Sequence, residues 1–180
     1  MAKTLAEATT PTAPDIERYL QALDQYFSAA PYKRWFTPSF EPILNGLGVS
    51  YYPPAAGALH TDICSQLATN PTWSGLGARR LSLSAAGGAV WRDLISALRP
   101  DILLMSVARA HLAALGAAPT KEWESVFIVE RENPYIVRAR RVRIGDAEPL
   151  VVFGQAANTP FGTISGNDKR RLGETLLGRF

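Results

Sequence analysis

The chain has 180 residues, of which 47% are hydrophobic and 19% charged, with a formal net charge of +3. That length fits one domain with a substantial core and no staples, and the weakly basic balance is compatible with nucleic acid without demanding it. The single cysteine, Cys64, excludes an internal disulfide and a multi-cysteine metal site; with no signal-peptide pattern and no apolar run near the roughly 20 residues of a membrane span, a cytoplasmic protein without membrane attachment is expected.

Residues 1–14, rich in Ala, Thr and Pro, read as a flexible tail before a single domain over 15–180. Ile16, Tyr19, Leu20, Leu23 and Phe27 recur at helical spacing, with Asp15 as N-cap and Pro31 as the stop. Tyr32, Trp35, Phe36 and Phe40 form an aromatic cluster, read as core, with base stacking as the alternative. A short helix is predicted over 41–47, and Tyr51-Tyr52-Pro53-Pro54 reads as extended and exposed. Residues 59–64 form an apolar run of strand length interrupted by His60, Thr61 and Asp62, the kind of local inconsistency expected at a site. Cys64 in that run has the setting of a buried thiol rather than a nucleophile. Residues 74–88 read as loop; the lone Gly-x-Gly pairs at 46–48 and 75–77 complete no dinucleotide fingerprint, and no phosphate-loop lysine motif is present.

Val90, Trp91, Leu94, Ile95 and Leu98 mark an amphipathic helix ended by Pro100. Residues 101–107 read as a strand buried on both faces, as in a parallel sheet. A short helix is predicted over 108–115. Strands are predicted over 125–130, 135–144 and 150–153, the last two joined by a connection of hairpin length. A final helix is predicted over 167–177, with Ser165 or Asn167 as N-cap. This order predicts an α/β fold: a three-layer domain with a central mixed, largely parallel sheet. Ligands in such domains bind beyond the carboxyl ends of the strands, here the loops after Ile63, Val107 and Phe153.

His60 and Asp62 lie two apart, so on a strand they face the same way and could do acid–base work or hold a water. A metal site would need a third ligand, and His111 is the only other histidine, so no metal is expected. A Ser106, His60, Asp62 triad can be drawn, but no Gly-x-Ser-x-Gly elbow is present. The bland reading makes Asp62 a turn cap and His60 a satisfied core residue. Arg138 and Arg140 face one way on their strand and Arg141 and Arg143 the other, which predicts an edge strand or ribbon; phosphate contact is its functional reading and a charged, aggregation-resistant edge the alternative. Lys169, Arg170 and Arg171 in the first turns of the last helix oppose its dipole, and an anion bound at that terminus would compensate.

The segment Leu59-His60-Thr61-Asp62-Ile63 resembles the strand-end segment of the uracil-DNA glycosylase superfamily, where a Thr-Asn or similar pair reads the flipped base. Residues 89–98, Pro100 and 102–107 resemble that fold's next helix and central strand. Residues 150–162 resemble its last strand and the following loop, which in the family carries a His-Pro-Ser or Asn-Pro-Ser type motif at the DNA. The resemblance covers roughly residues 35 to 178. Three departures stand out. Asp62 replaces the usual asparagine, and an ionised carboxylate only accepts hydrogen bonds. Asn158-Thr159-Pro160 only approximates the loop motif. No apolar strand with the family's Gly-rich, water-positioning motif precedes residue 35.

The resemblance implies a glycosylase-like protein that binds DNA or a nucleobase, without a cofactor, and, if it turns over, hydrolyses an N-glycosidic bond of a modified base. His60 and Asp62 are then the catalytic candidates, orienting water. Thr61, Asp62, Trp73, Asn158, Thr159 and Phe161 would bind the base, and Arg138, Arg140, Ser165, Lys169 and Arg170 the phosphates. The alternative is a non-catalytic binding module on the same scaffold, its sheet completed by a partner chain or a second copy. A third reading is an unrelated hydrolase acting on a small molecule through His60 and Asp62.

Overall fold

The computed structural model describes residues 12–29, 33–62, 73–106, 118–119, 122–154, 161–162 and 164–179. The first helices are α1 (Ala13–Asp24), α2 (Tyr26–Ala29), α3 (Lys33–Ser39) and α4 (Glu41–Gly46). A 3-10 turn (Trp73–Leu76) leads into α5 (Arg79–Leu98). The strands are β1 (Ile102–Met105), the two-residue β2 (Ala118–Pro119), β3 (Glu124–Val129), β4 (Tyr135–Arg143) and β5 (Leu150–Gly154), and α6 (Gly166–Leu177) follows.

The sheet runs β1-β5-β4, with β3 and β2 both paired to the far side of β4. Only β1 and β5 are parallel; β5 with β4, β4 with β3 and β4 with β2 are antiparallel. The α/β fold with a mixed sheet is thus observed, but the largely parallel sheet is not. Residues 124–154 form an antiparallel meander through two short connections, and only β5 reaches across to a parallel partner.

Alternation along the strands separates two cores. On one face Val137, Ala139, Leu150 and Val152 pack with Phe36 and Phe40, with Ile43 and Leu44 of α4 and with Leu172 and Leu176 of α6. On the other, Val142, Val151, Phe153 and Met105 pack with Trp91 and Ile95 of α5. Helices therefore cover both faces of the sheet. Trp91 and Ile95 are one turn apart, so they share the buried stripe of α5.

Helices α4 and α6 cross where both carry glycine. A Cβ on Gly173 would lie 2.8 Å from the Gly46 Cα, and one on Gly46 would lie 2.9 Å from the Gly173 Cα. Both contacts are with backbone, so nothing can swing aside. Near this crossing the buried Lys169 reaches from α6 to the Pro38 carbonyl, which accepts from its Nζ at 2.7 Å. Burial pushes the Lys169 ammonium below its ordinary range.

Several expectations change. Asp15 is not the N-cap of α1: Thr12 is, and the Asp15 carboxylate accepts from the Thr12 N–H at 3.1 Å. The helix breaks at Gln25, and Ile16, Leu20 and Leu23 are exposed, so of the expected apolar face only Phe27, on α2, packs against the core. Residues 79–88, expected as loop, are the first half of α5; the alanines favour helix, and Gly87 and Gly88 are buried one turn before Trp91. The stretch 58–62 adopts no strand. The strand at β1 is the edge of the sheet, not an interior strand. Strand β4 is interior, not the expected edge or ribbon: β5 pairs with one side and β3 and β2 with the other, while Arg138, Arg140 and Arg141 are half-buried and Arg143 is exposed. The predicted helix over 108–115 lies outside the described residues.

Gly173→Ala is expected to destabilise the fold by about 3 kcal/mol through overpacking. Gly166→Ala, at an open first helical position with nothing within 4 Å, should be neutral or slightly stabilising. Urea unfolding midpoints of the two variants check this contrast.

Candidate functional site

A cavity of about 710 Å³ runs along β1. Phe40, Leu44, Leu47 and Val49 form one wall, and Trp91, Ile95 and Leu98 of α5 form the other. Residues Ile102 to Met105 form its floor, and Ser106 follows at the carboxyl end of the strand. His60, Thr61 and Asp62 line the same cavity. The structure thus brings together the polar triplet and the end of β1, two regions separated by some 40 residues of chain.

The local scaffold of the triplet is a turn held by Glu41. Its buried carboxylate accepts from the Ser50 hydroxyl, and from the Tyr51 N–H at 3.2 Å. The Ser50 hydroxyl oxygen accepts in turn from the Tyr52 N–H at 2.8 Å. This fixes Tyr51, which stacks on Phe27 at 4.8 Å and stands edge-on to Phe36 at 5.1 Å. The His60 ring then leans on this shelf, with centroids 5.1 Å from Phe36, 6.1 Å from Phe40 and 6.4 Å from Tyr51.

The position of His60 along the sheet follows from one chain of contacts. Gly154 ends β5, and a Cβ there would clash with the Phe161 ring. Phe161 packs edge-on to Phe40 at 6.0 Å, and Phe40 adjoins His60. The triplet therefore sits toward the carboxyl ends of the parallel pair, the place where α/β sheets bind ligands. Burial pushes the His60 imidazolium below its ordinary value of 6.5, and Asp62 offsets part of that effect. At neutral pH His60 is an uncharged imidazole that donates from one nitrogen and accepts at the other. Asp62 is exposed at the rim. Among the described residues no Lys or Arg lines the cavity, whereas Asp62 and Asp101 do.

The other expected residues divide. Phe161 is fully buried, with φ of 52°, and serves as a core plug rather than a free ring for stacking on a base. Trp73 opens the 3-10 turn, but its side chain, like Asn158 and Thr159, lies outside the described residues. Ser165 is the N-cap of α6: its hydroxyl oxygen accepts from the Asp168 N–H at 3.0 Å. Lys169 is engaged with Pro38, and exposed Arg170 pairs with Glu174 at 3.3 Å. Arg138 and Arg140 project from the opposite face of the sheet, in register with Phe153 and Val151. The five residues expected to hold phosphates therefore do not form one patch; the sheet lies between the two groups.

Arg138 lies level with the carboxyl end of β5, in the same row as Met105. Arg140 lies further along, its guanidinium 4.5 Å from the Trp123 ring centroid. It lines a separate cavity of about 220 Å³ with Glu122, Glu124, Arg141 and Arg179, where Glu124 pairs with Arg179 at 2.6 Å. Among the described residues, no group of three or more His, Cys, Asp or Glu is placed to hold a metal ion, and no helix is long and apolar enough to cross a membrane. The apolar walls were the part of the site that sequence reasoning missed. Phe40 and Trp91 had been noted as core candidates, but only the fold sets them across β1 from each other.

No protein-family model matches the chain, and no curated protein or solved structure matches it significantly.

The depressed His60 value has a direct pH consequence. Because the folded-state value lies below the unfolded one, the unfolded chain takes up the proton first as pH falls. The stabilising contribution of neutral His60 is thus complete above about pH 6.5 and declines below it. An NMR titration of the His60 ring should give a midpoint below 6.5, and unfolding midpoints should fall between pH 7 and pH 5. A ring midpoint at or above 6.5 would contradict the burial argument.

Proposed function

We propose that the chain is a glycosylase-like α/β domain that binds a nucleobase in the cavity along β1. The observation that carries this reading is the gathering of His60, Thr61 and Asp62 with the end of β1 in one apolar, aromatic-walled cavity. Flat heterocycles suit such walls, and a few convergent polar groups give orientation.

The charge of the cavity narrows the ligand. With carboxylates and no cation among its described lining residues, the interior disfavours a phosphate and favours a neutral ring. Asp62 only accepts hydrogen bonds when ionised, so it favours a base edge that presents an amino group, as cytosine and adenine do. The sugar–phosphate portion would then remain outside, with Arg138 the nearest of the proposed phosphate-contact arginines to the carboxyl ends of the parallel strands. If N-glycosidic hydrolysis occurs, neutral His60 can accept a proton from an attacking water, and Asp62 can hold that water by a second hydrogen bond.

A second reading is favoured by the position of β1 at the sheet edge: a binding module whose sheet is completed by a partner.

Equilibrium binding of cytidine, adenosine, uridine and thymidine tests the nucleobase reading. The amino-bearing pair should bind more tightly, and Asp62→Asn should shift the preference toward uridine about tenfold, the scale of one well-placed base-edge contact. Alkali-labile abasic sites in oligonucleotides carrying altered bases would report turnover. Equal affinity for all four nucleosides, unchanged in Asp62→Asn, would contradict the assignment.

A further inference from the structure

Among the described residues, strand β1 is hydrogen-bonded on one side only. In the parallel pair with β5, the Leu150 N–H donates to the Asp101 carbonyl at 2.9 Å, and Ile102 stands opposite Leu150. Alternation then turns the main-chain groups of Leu103 and Met105 toward β5, and those of Ile102 and Leu104 away from it. Among the described residues nothing pairs with that outer row. An exposed edge of four apolar residues is a template for another strand, and natural sheets usually blunt such edges with charge, proline or a cover.

Here the edge does not face open solvent. Leu44 of α4 and Leu47 just after it line one side of the cavity of about 710 Å³ beside the edge, and Trp91 and Leu98 of α5 line the other. A space with apolar walls above and below, and a row of main-chain donors and acceptors along one side, has the requirements of an interior strand. An occupant that pairs with this row of main-chain groups is an extended backbone, with both of its alternating side-chain rows apolar. A globular ligand or a helix would leave the outer groups of Ile102 and Leu104 without partners. At the amino end of the strand Asp101 is exposed, and among the described residues no Lys or Arg lines the space, so a basic residue next to the apolar segment is complementary.

We propose that the β1 edge is a docking site for an extended apolar segment, flanked by a basic residue, supplied by a partner protein and added to the sheet beside Ile102–Met105. This stands on the sheet edge and its two walls, not on the nucleobase reading. The two are read out at different residues, Ile102 and Leu104 for the strand and Asp62 for the base.

A capped seven-residue peptide of alternating valine and isoleucine between two lysines is the probe, and a serine–threonine peptide of the same length is the control. With the full chain, the apolar peptide should bind and give intermolecular NMR contacts to the Ile102 and Leu104 amides, and the control should not. Leu104→Pro places a ring on the outer row without removing a bond to β5, so it should lower peptide affinity about tenfold or more while far-UV circular dichroism stays unchanged. If that variant fails to fold, the comparison of the two peptides on the unaltered chain still decides. Absence of contacts at Ile102 and Leu104, or equal binding of both peptides, would overturn the proposal. Burial of the same amides with rising protein concentration and no peptide would also overturn it, in favour of a second copy of this chain.

Discussion

Among the described residues β1 pairs on one side only, and that governs what this fold can do. Strand β5 holds it in parallel register from Ile102 opposite Leu150 to Met105 opposite Phe153, while its other side meets a cavity. The strand is apolar on both faces because helices lie over both faces. Met105 is buried and Leu104 half-buried, and residues of both helical layers line the cavity beside the edge.

The placement of those layers rests on close packing elsewhere. The α4–α6 crossing at Gly46 and Gly173 brings two backbones together, which holds α4 firmly over one face. The Glu41 carboxylate at the start of α4 then organises Ser50, Tyr51 and Tyr52, and the aromatic shelf so fixed carries His60. On the other face, the Trp91 and Ile95 stripe docks α5 over Val151 and Phe153. The site is built from the rims of both arrangements.

How much of this was legible in the sequence depends on how local the cause is. The meander β3-β4-β5 and helix α6 follow from turn residues and periodicity, so their positions agree with expectation within a residue or two. The amino-terminal half of α5 was hidden by its serines and glycines; Gly87 and Gly88 look like loop residues until their burial is known. The place of β4 was misread for a related reason. Its arginines resemble an edge, yet the strand is interior, with Arg140 resting its guanidinium on Trp123 from a neighbouring segment. No window of sequence contains that contact. In the site, the triplet His60, Thr61 and Asp62 stood out because polar groups interrupt an apolar run. Lys169, Ser165 and Phe161 stood out as well, but for structural reasons: a buried ammonium on a carbonyl, a helix cap and a core plug. Charge or aromaticity near a turn does not separate these roles; burial does.

The central claim is that the outer main-chain row of β1 is free and that the cavity beside it is the functional region. Residue-resolved amide hydrogen exchange of the full chain, without added ligand, tests it most directly. The account predicts slow exchange at Leu103 and Met105, held by β5, and fast exchange at Ile102 and Leu104 one residue away. Equally slow exchange at all four positions would show the edge already covered and would contradict the account.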